Sequence, residues 1–312
     1  MRTYLEELIN RMCDRNLEKT SSETIAYNAY REVDNIKDEN LLPTLFEIVN
    51  NELDENKRNK AYYIISKIAL PNNDIESLNF FLQKLKKEKS KGIIEDLLKI
   101  ISSFKKPKEI DLANIFNFLN NKSNLIRHNA ILALENCNST ECENKLIMIL
   151  ENSTNQYDLL YSTQVLSTSG FHKSLPKLKE LITHSKQDIS NSALWGIYQI
   201  AKEKELPLYL EQLKKSKNKF TALQAVVMYG NDEVIPNIIK RIKELISKKR
   251  NIEVIGEYGY TELIIAMNFL IKFPDSKVIK DIYSLLELKK DDFLWESEKE
   301  WLMNNPIDKG SH

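Results

Sequence analysis

Apolar residues recur along this chain at helical rather than strand spacing, and the helices they mark recur in turn. In residues 123–137, Ile126, Ala130, Ala133 and Leu134 fall on one helical face, with small residues where a neighbouring helix must come close. A second kind of helix carries proline in its first turn, where the missing N–H costs nothing: Pro43, Pro176, Pro207 and Pro236 each follow a pair of apolar or polar lead-in residues. The apolar position two residues beyond that proline defines an anchor series, Leu45, Leu78, Leu112, Leu146, Leu178, Tyr209, Ile238 and Ile282. Its successive intervals are 33, 34, 34, 32, 31, 29 and 44 residues. Between anchors lie the partner helices, each with a small residue equivalent to Ala130: Ala61, Ser162, Ala193, Ala222 and Ala266. The unit at 91–104 offers Glu95 at that place. A repeat of this length with two helices per unit predicts an all-α fold, a right-handed α-solenoid of about eight antiparallel helix pairs in the HEAT/ARM manner.

The same pattern sets the expected boundaries. Residues 1–36 form an N-terminal capping pair, with helices over 2–15 and 21–35, the second entered through the capping residues Thr20, Ser21, Ser22 and Glu23. Repeats occupy 37–275, a C-terminal capping pair occupies 276–304, and 305–312 is a tail whose closing Gly310, Ser311 and His312 read as the start of an affinity tag. The long interval between Ile238 and Ile282 holds about ten extra residues, an irregular insertion at 248–260. It is expected as a longer basic helix through Arg250 followed by a loop that carries Glu253, Glu257, Tyr258 and Tyr260 and two of the seven glycines. Long loops are more often functional than short ones, and a solvated excursion is the alternative. A last helix over 291–304 brings Trp295 and Trp301, expected to plug the open end of the core.

The stretch from Leu125 to Leu134, with Arg127, Ala130, Ala133 and Leu134 in sequence, resembles the second helix of the HEAT-like repeat of the phycobilisome-lyase type. Lys57 to Ile65 and Ile189 to Ile197 are poorer copies. The resemblance covers most of residues 20–303 and implies the repeat fold. It leaves function open, because scaffolds, lyases, DNA-repair enzymes and inhibitors share the repeat.

Composition narrows the classes. Forty-five basic and 45 acidic side chains balance, which argues against a nucleic-acid binder and its basic excess. No apolar run approaches the roughly 18 residues of a membrane span, and the N-terminus lacks the layout of a signal peptide, so a cytoplasmic protein with no membrane partner is expected. Cys13, Cys137 and Cys142 are odd in number and without paired-motif spacing, and are read as buried thiols in a reducing compartment.

No phosphate-cradling glycine loop, zincin helix, calcium loop or nucleophile elbow occurs. A metal site drawn from His128, Cys137, Cys142 and His172 lacks the usual spacing, and Glu253 with Glu257 has no acid–base meaning by itself; no metal or cofactor is expected. The register set by Ala130 points Asn59, Tyr63 and Ser66, then His128, Leu132 and Glu135, Asn191, Trp195 and Tyr198, and Phe220, Gln224 and Val227 toward the inner surface. None is basic, so a phosphate-gripping groove of the alkylpurine-glycosylase kind is not provided. Tyr63, His128, Trp195, Tyr198, Phe220 and Gln224 instead form the mixture enriched at protein hot spots. A buried seam between helices is the competing account of that stripe. Ten basic residues between Lys214 and Arg250 exceed nearby acids, many at helix C-termini where they favour the dipole. The expectation is therefore a monomeric, non-enzymatic solenoid that binds another protein as adaptor or inhibitor, such as an immunity protein that neutralises a toxin. A nucleic-acid enzyme or a lyase is the rival.

Overall fold

In the computed structural model every residue of the anchor series is buried, from Leu45, Leu78, Leu146, Leu178, Tyr209 and Ile238 at 0% exposure to Leu112 at 4%. The structure describes residues 1–14, 21–169, 171–215, 217–251, 253, 255–256, 259–273 and 277–306. Two units divide the chain, Met1–Ser174 and Leu175–His312, a division that falls inside the stretch read from sequence as one array. The tail at 307–312 and the capping residue Thr20 lie outside the described residues.

The first unit consists of successive helix pairs: α1 (Arg2–Met12) with α2 (Ile25–Val33), α3 (Leu42–Asn51) with α4 (Glu55–Ala69), α5 (Ile75–Lys87) with α6 (Lys91–Ser102), α7 (Ala113–Phe116) with α8 (Asn124–Leu132), and α9 (Thr140–Asn152) with α10 (Gln156–Ser169). The second unit continues with α11 (Leu175–Leu181) and α12 (Gln187–Ala201), α13 (Leu206–Lys215) and α14 (Lys219–Tyr229), α15 (Ile235–Leu245) and α16 (Glu262–Leu270), and α17 (Lys277–Phe293) and α18 (Glu296–Asn304). Among the described residues the only strand-type pairing is an isolated bridge between Ile255 and Thr261. Within each unit a second helix packs on the second helix of the next repeat, α4 on α6, α6 on α8, α8 on α10, and α12 on α14, α14 on α16. The small residues make this possible: Ala61, Ala130, Ser162, Ala193, Ala222 and Ala266 are all at 0% exposure.

Local chemistry fixes the helix ends. Asp54, Asp74, Thr24 and Thr261 accept hydrogen bonds from backbone N–H groups in the first turns of α4, α5, α2 and α16, satisfying donors that have no partner inside a helix. Pro43, Pro176, Pro207 and Pro236 are each the second residue of a first helix.

Several expectations are corrected. In α6 the buried face runs Ile94, Leu98, Ile101, while Glu95 is only half-buried. Ile94 therefore takes the place of Ala130, one residue earlier than the interval suggests. The first helix stops at Met12, and Ser21–Glu23 is a 3₁₀ turn before the Thr24 cap of α2. Helix α15 ends at Leu245 rather than running through Arg250, where the Ser247 hydroxyl turns back onto the Glu244 carbonyl. At the C-terminus α17 runs on to Phe293, and the break falls at Leu294 and Trp295, because Glu298 reaches back to accept the Trp295 N–H. Cys137 and Cys142, five residues apart and both buried, stand with their sulfurs facing each other, a proximity that the sequence separation, matching no paired motif, did not suggest. Trp295 and Trp301 are half-buried, Trp295 under the Arg250 guanidinium and Trp301 donating to Asn268.

Two kinds of bond join repeats in the first unit. Arg58, in the first turn of α4, donates twice to Glu88 of the next repeat and once each to the Glu52 and Leu53 carbonyls behind it. Arg127 in α8 repeats the arrangement: its Nε lies 2.9 and 3.0 Å from the two oxygens of Asp158, and Nη1 donates to the Asn121 carbonyl. Burial raises the Glu88 carboxyl, but the bonds from Arg58 and Tyr62 outweigh it and hold the group below the usual carboxylate value.

The second bond is made by Lys106, at 5% exposure. Its ammonium donates to the carbonyls of Ser102, Phe104 and Glu135, three acceptors for three N–H donors, at the C-terminal ends of two successive second helices where the dipoles are negative. Burial nevertheless pushes the amine down to about 7.

Glu88→Gln leaves a part-buried guanidinium without its charge partner and is expected to cost about 1–2 kcal/mol of stability, less than a fully buried pair. The same change at the exposed Glu211, which pairs with Lys215, is expected to cost under about 0.5 kcal/mol; urea unfolding of both variants checks the contrast. Lys106 binds its proton less tightly folded, at about 7, than at its ordinary 10.5. The unfolded chain therefore holds more protons between these values, and stability from this group rises with pH across that window. The stability of the native protein relative to Lys106→Met, measured by urea unfolding from pH 7 to 10, is expected to increase.

Candidate functional site

In the first unit the second helices carry rings where a solvated helix would carry lysine or glutamate. Tyr63 of α4 meets Tyr30 of α2 edge-on at 5.2 Å. Lys60 lies over the Tyr30 ring at 5.5 Å and Lys67 over the Tyr63 ring at 5.3 Å. Lys67 also binds Asp34 at 2.8 Å. That hydrogen bond holds the ammonium above its ordinary value and the carboxyl below its own.

Two repeats on, His128 of α8 packs against Tyr161 at 5.2 Å and Tyr157 at 5.8 Å, both on α10. Tyr157 and Tyr161 stack on each other at 6.1 Å, and Tyr157 is 47% exposed. His128 Nε2 comes within 3.0 Å of Asp158, off line for a hydrogen bond. Burial pushes the imidazole below its ordinary value, with Asp158 opposing, which disfavours the charged form of a ring packed among tyrosines. Tyr157 and Tyr161 were missed in the register read from Ala130, which passed over α10; the i, i+4 spacing of two tyrosines was the available signal.

In the second unit the expected stripe divides. Trp195 is half-exposed, edge-on to Tyr198 at 5.0 Å. Tyr198, expected on the surface, is at 8% exposure, enclosed by Tyr229 and Tyr209 as well as Trp195. Phe220 and Gln224 are half-buried beneath the chain's own insertion: a Cβ placed on Gly256 would stand 2.8 Å from the Phe220 ring and 3.5 Å from the Gln224 amide. The seam reading accounts for Tyr198, and the insertion occupies the face of Phe220 and Gln224.

That insertion is held in place from both ends. Glu298, with its side chain 1% exposed, accepts from Arg250 and from the Thr261 hydroxyl at 2.7 Å. The Arg250 guanidinium lies 4.0 Å over Trp295 and also donates to the Phe293 carbonyl. Between these ends Gly256 donates to the Tyr260 carbonyl, and Gly259 adopts φ +75, a left-handed turn that suits glycine. Glu253 is exposed and accepts from Ser297, and Tyr260 is 44% exposed, as is Ile255 at 57%. Glu257 and Tyr258 lie outside the described residues.

Among the described residues no group of three or more His, Cys, Asp or Glu side chains is placed to hold a metal ion, and no helix is long and apolar enough to cross a membrane. The basic stretch is partly paired internally: Lys219 with Glu244, Arg241 with Glu244 and Glu262, and Arg250 with Glu298.

No protein-family model matches the chain, and no curated protein matches it. Solved structures do. A designed armadillo repeat protein in complex with the peptide (KR)4 is similar at 16% identity and a TM-score of 0.45, over 63% of this chain and 99% of that one. The CpcE–CpcF complex of phycocyanin lyase from Nostoc sp. PCC7120 is similar at 13% identity and a TM-score of 0.45, over 79% of this chain and 93% of that one. An engineered protein is similar at 14% identity and a TM-score of 0.46, over 96% and 87%.

Gly256→Val forces the Phe220 ring or the insertion to move. Its amide, which bonds Tyr260, is expected to exchange with solvent at least tenfold faster, while the global unfolding midpoint stays within a few degrees; hydrogen exchange read by NMR checks this. The paired helices, their recurring buried anchors and their repeated arginine joints are those of a HEAT-like helical repeat.

Proposed function

We propose that this chain is a non-catalytic protein-binding module, an adaptor or inhibitor, whose first-unit second helices supply the binding face. The observation that carries the reading is the cluster of His128, Tyr157 and Tyr161, part-exposed and mutually packed on α8 and α10. Rings that cost little side-chain entropy to immobilise and offer large contact areas are what protein interfaces concentrate. Tyr63 and Tyr30 extend the same chemistry to α4 and α2. Three of the cations nearby are paired, Lys67 with Asp34, Lys99 with Asp96 and Arg127 with Asp158, which lowers the positive charge this face offers a phosphate backbone and favours a protein partner. The narrower form of the proposal is an immunity protein, whose action requires binding alone.

Affinity capture from the native cell followed by titration of the recovered partner tests it. Replacing Tyr157 and Tyr161 together with alanine is expected to weaken binding at least tenfold with an unchanged fold by circular dichroism, whereas Lys215→Ala, on the exposed end of α13, leaves it unaltered. Equal affinity of the tyrosine variant, or tight DNA binding at low salt, overturns the reading. A partner that is toxic alone and harmless when co-expressed with this chain marks an inhibitor, and a harmless partner marks an adaptor.

A further inference from the structure

The first helices α7 and α9 of two successive repeats are filled differently from α3 and α5. Between α3 and α5 the groove is filled by Phe46 and Phe80, stacked with centroids 4.3 Å apart and planes 20° apart. These rings stand one and two residues beyond the anchors Leu45 and Leu78. Counted from Leu112 and Leu146, the same places in α7 and α9 hold Ala113 and Met148. Helix α7 is also a single turn of four residues, against 13 in α9, and the chain leaves it through tight turns at Phe118 and Leu119.

Further along, where Phe116 faces Met148, lies a pocket of about 390 Å³, within the roughly 300–1,000 Å³ of small-molecule sites. Phe116, Leu119, Met148 and Ile149 supply apolar wall, and Asn120 and Asn152 supply amides. Its charged lining is Arg127, Asp158 and Lys145. The first two neutralise each other, and Asp158 is further occupied by the Ser153 hydroxyl. Lys145 has no carboxylate within ion-pair distance among the described residues; its ammonium rests 5.6 Å from the centre of the Phe116 ring. One uncompensated cation thus borders an apolar recess, an arrangement that favours a ligand with one negative charge and an apolar body.

We propose that this pocket binds an organic carboxylate, its charge on Lys145 and its apolar body against Phe116, Leu119, Met148 and Ile149. A free aliphatic acid and the carboxyl end of a peptide with a terminal leucine share that chemistry. The pocket adjoins the tyrosine-bearing face through Arg127 and Asp158, and the two readings are told apart by their variants, Lys145→Gln for the acid and the paired tyrosine changes for the protein partner.

Calorimetric titration with octanoate and with acetyl-Gly-Gly-Leu, alongside octanamide and the C-terminally amidated peptide, tests the proposal, with the Met148 methyl resonance locating the site. At least one acid is expected to bind and shift Met148, its amide to bind at least tenfold more weakly, and Lys145→Gln, a substitution of a part-exposed side chain, to lose at least tenfold. Narrowing the pocket at its lining residue Met148, with Met148→Trp, is expected to weaken binding at least tenfold. Binding of octanoate alone assigns the site to free acids, and binding of the peptide alone assigns it to chain ends. Absence of binding by both at millimolar concentration, equal binding of acid and amide, or an unchanged affinity in Lys145→Gln overturns the proposal.

Discussion

A guanidinium pinned between the backbone behind it and a carboxylate ahead of it is the joint on which the first unit depends. Arg58 and Arg127 occupy the same turn of their helices, and each reaches a carboxylate of the following repeat, Glu88 or Asp158. A lysine does not substitute for this arrangement, since one planar fork satisfies two carbonyls and a carboxylate together at Arg58. Taking both charges out of water offsets much of the attraction, so the main effect of the joint is on register: it sets which turn of one second helix faces which turn of the next. His128, Tyr157 and Tyr161 pack together across α8 and α10 beside the Arg127–Asp158 joint. The second unit relies on smaller polar links, Asn218 with Ser190 and Thr221 with Asn191, and on Arg241 with Glu262 between the two helices of one pair.

Burial of the anchor series was legible because it depends on spacing along one helix, and Leu45 through Ile282 could be read from interval alone. The same holds for the small residues at helix crossings. Glu95 misled because its repeat is displaced by one residue, and a face is sensitive to single steps where an interval is not. Tyr198 and Trp195 look alike in sequence, three residues apart on one helix, but Tyr198 is enclosed by rings from α13 and α14 that no local pattern places there. Gly256 on Phe220 is likewise a return of the chain from about thirty-six positions away. Lys106, in a run of lysines before a proline, reads as a solvated linker; only the convergence of three helix-end carbonyls gives it an interior position.

The two units treat their exposed rings in opposite ways. In the first, Tyr157 stands open to solvent beside His128. In the second, an insertion anchored by the buried Glu298 lies across Phe220 and Gln224 and presents Ile255 and Tyr260 in their place. A clamp of four donors and a stacked indole fixes the two ends of the segment, Arg250 and Thr261, around Glu298, and fixed ends lower the ordering cost of association.

The joints between repeats also carry a direction in time. Arg58 and Glu88 are 30 residues apart, Arg127 and Asp158 are 31, and Lys106 and the Glu135 carbonyl are 29. Each therefore closes a loop of nearly the same short length, and the entropic cost of closure is much the same at every step. A chain leaving the ribosome from its N-terminus can complete each joint once the next repeat has emerged. The first unit then acquires its register before the second has been synthesised, and no step waits for a partner from the far end of the chain.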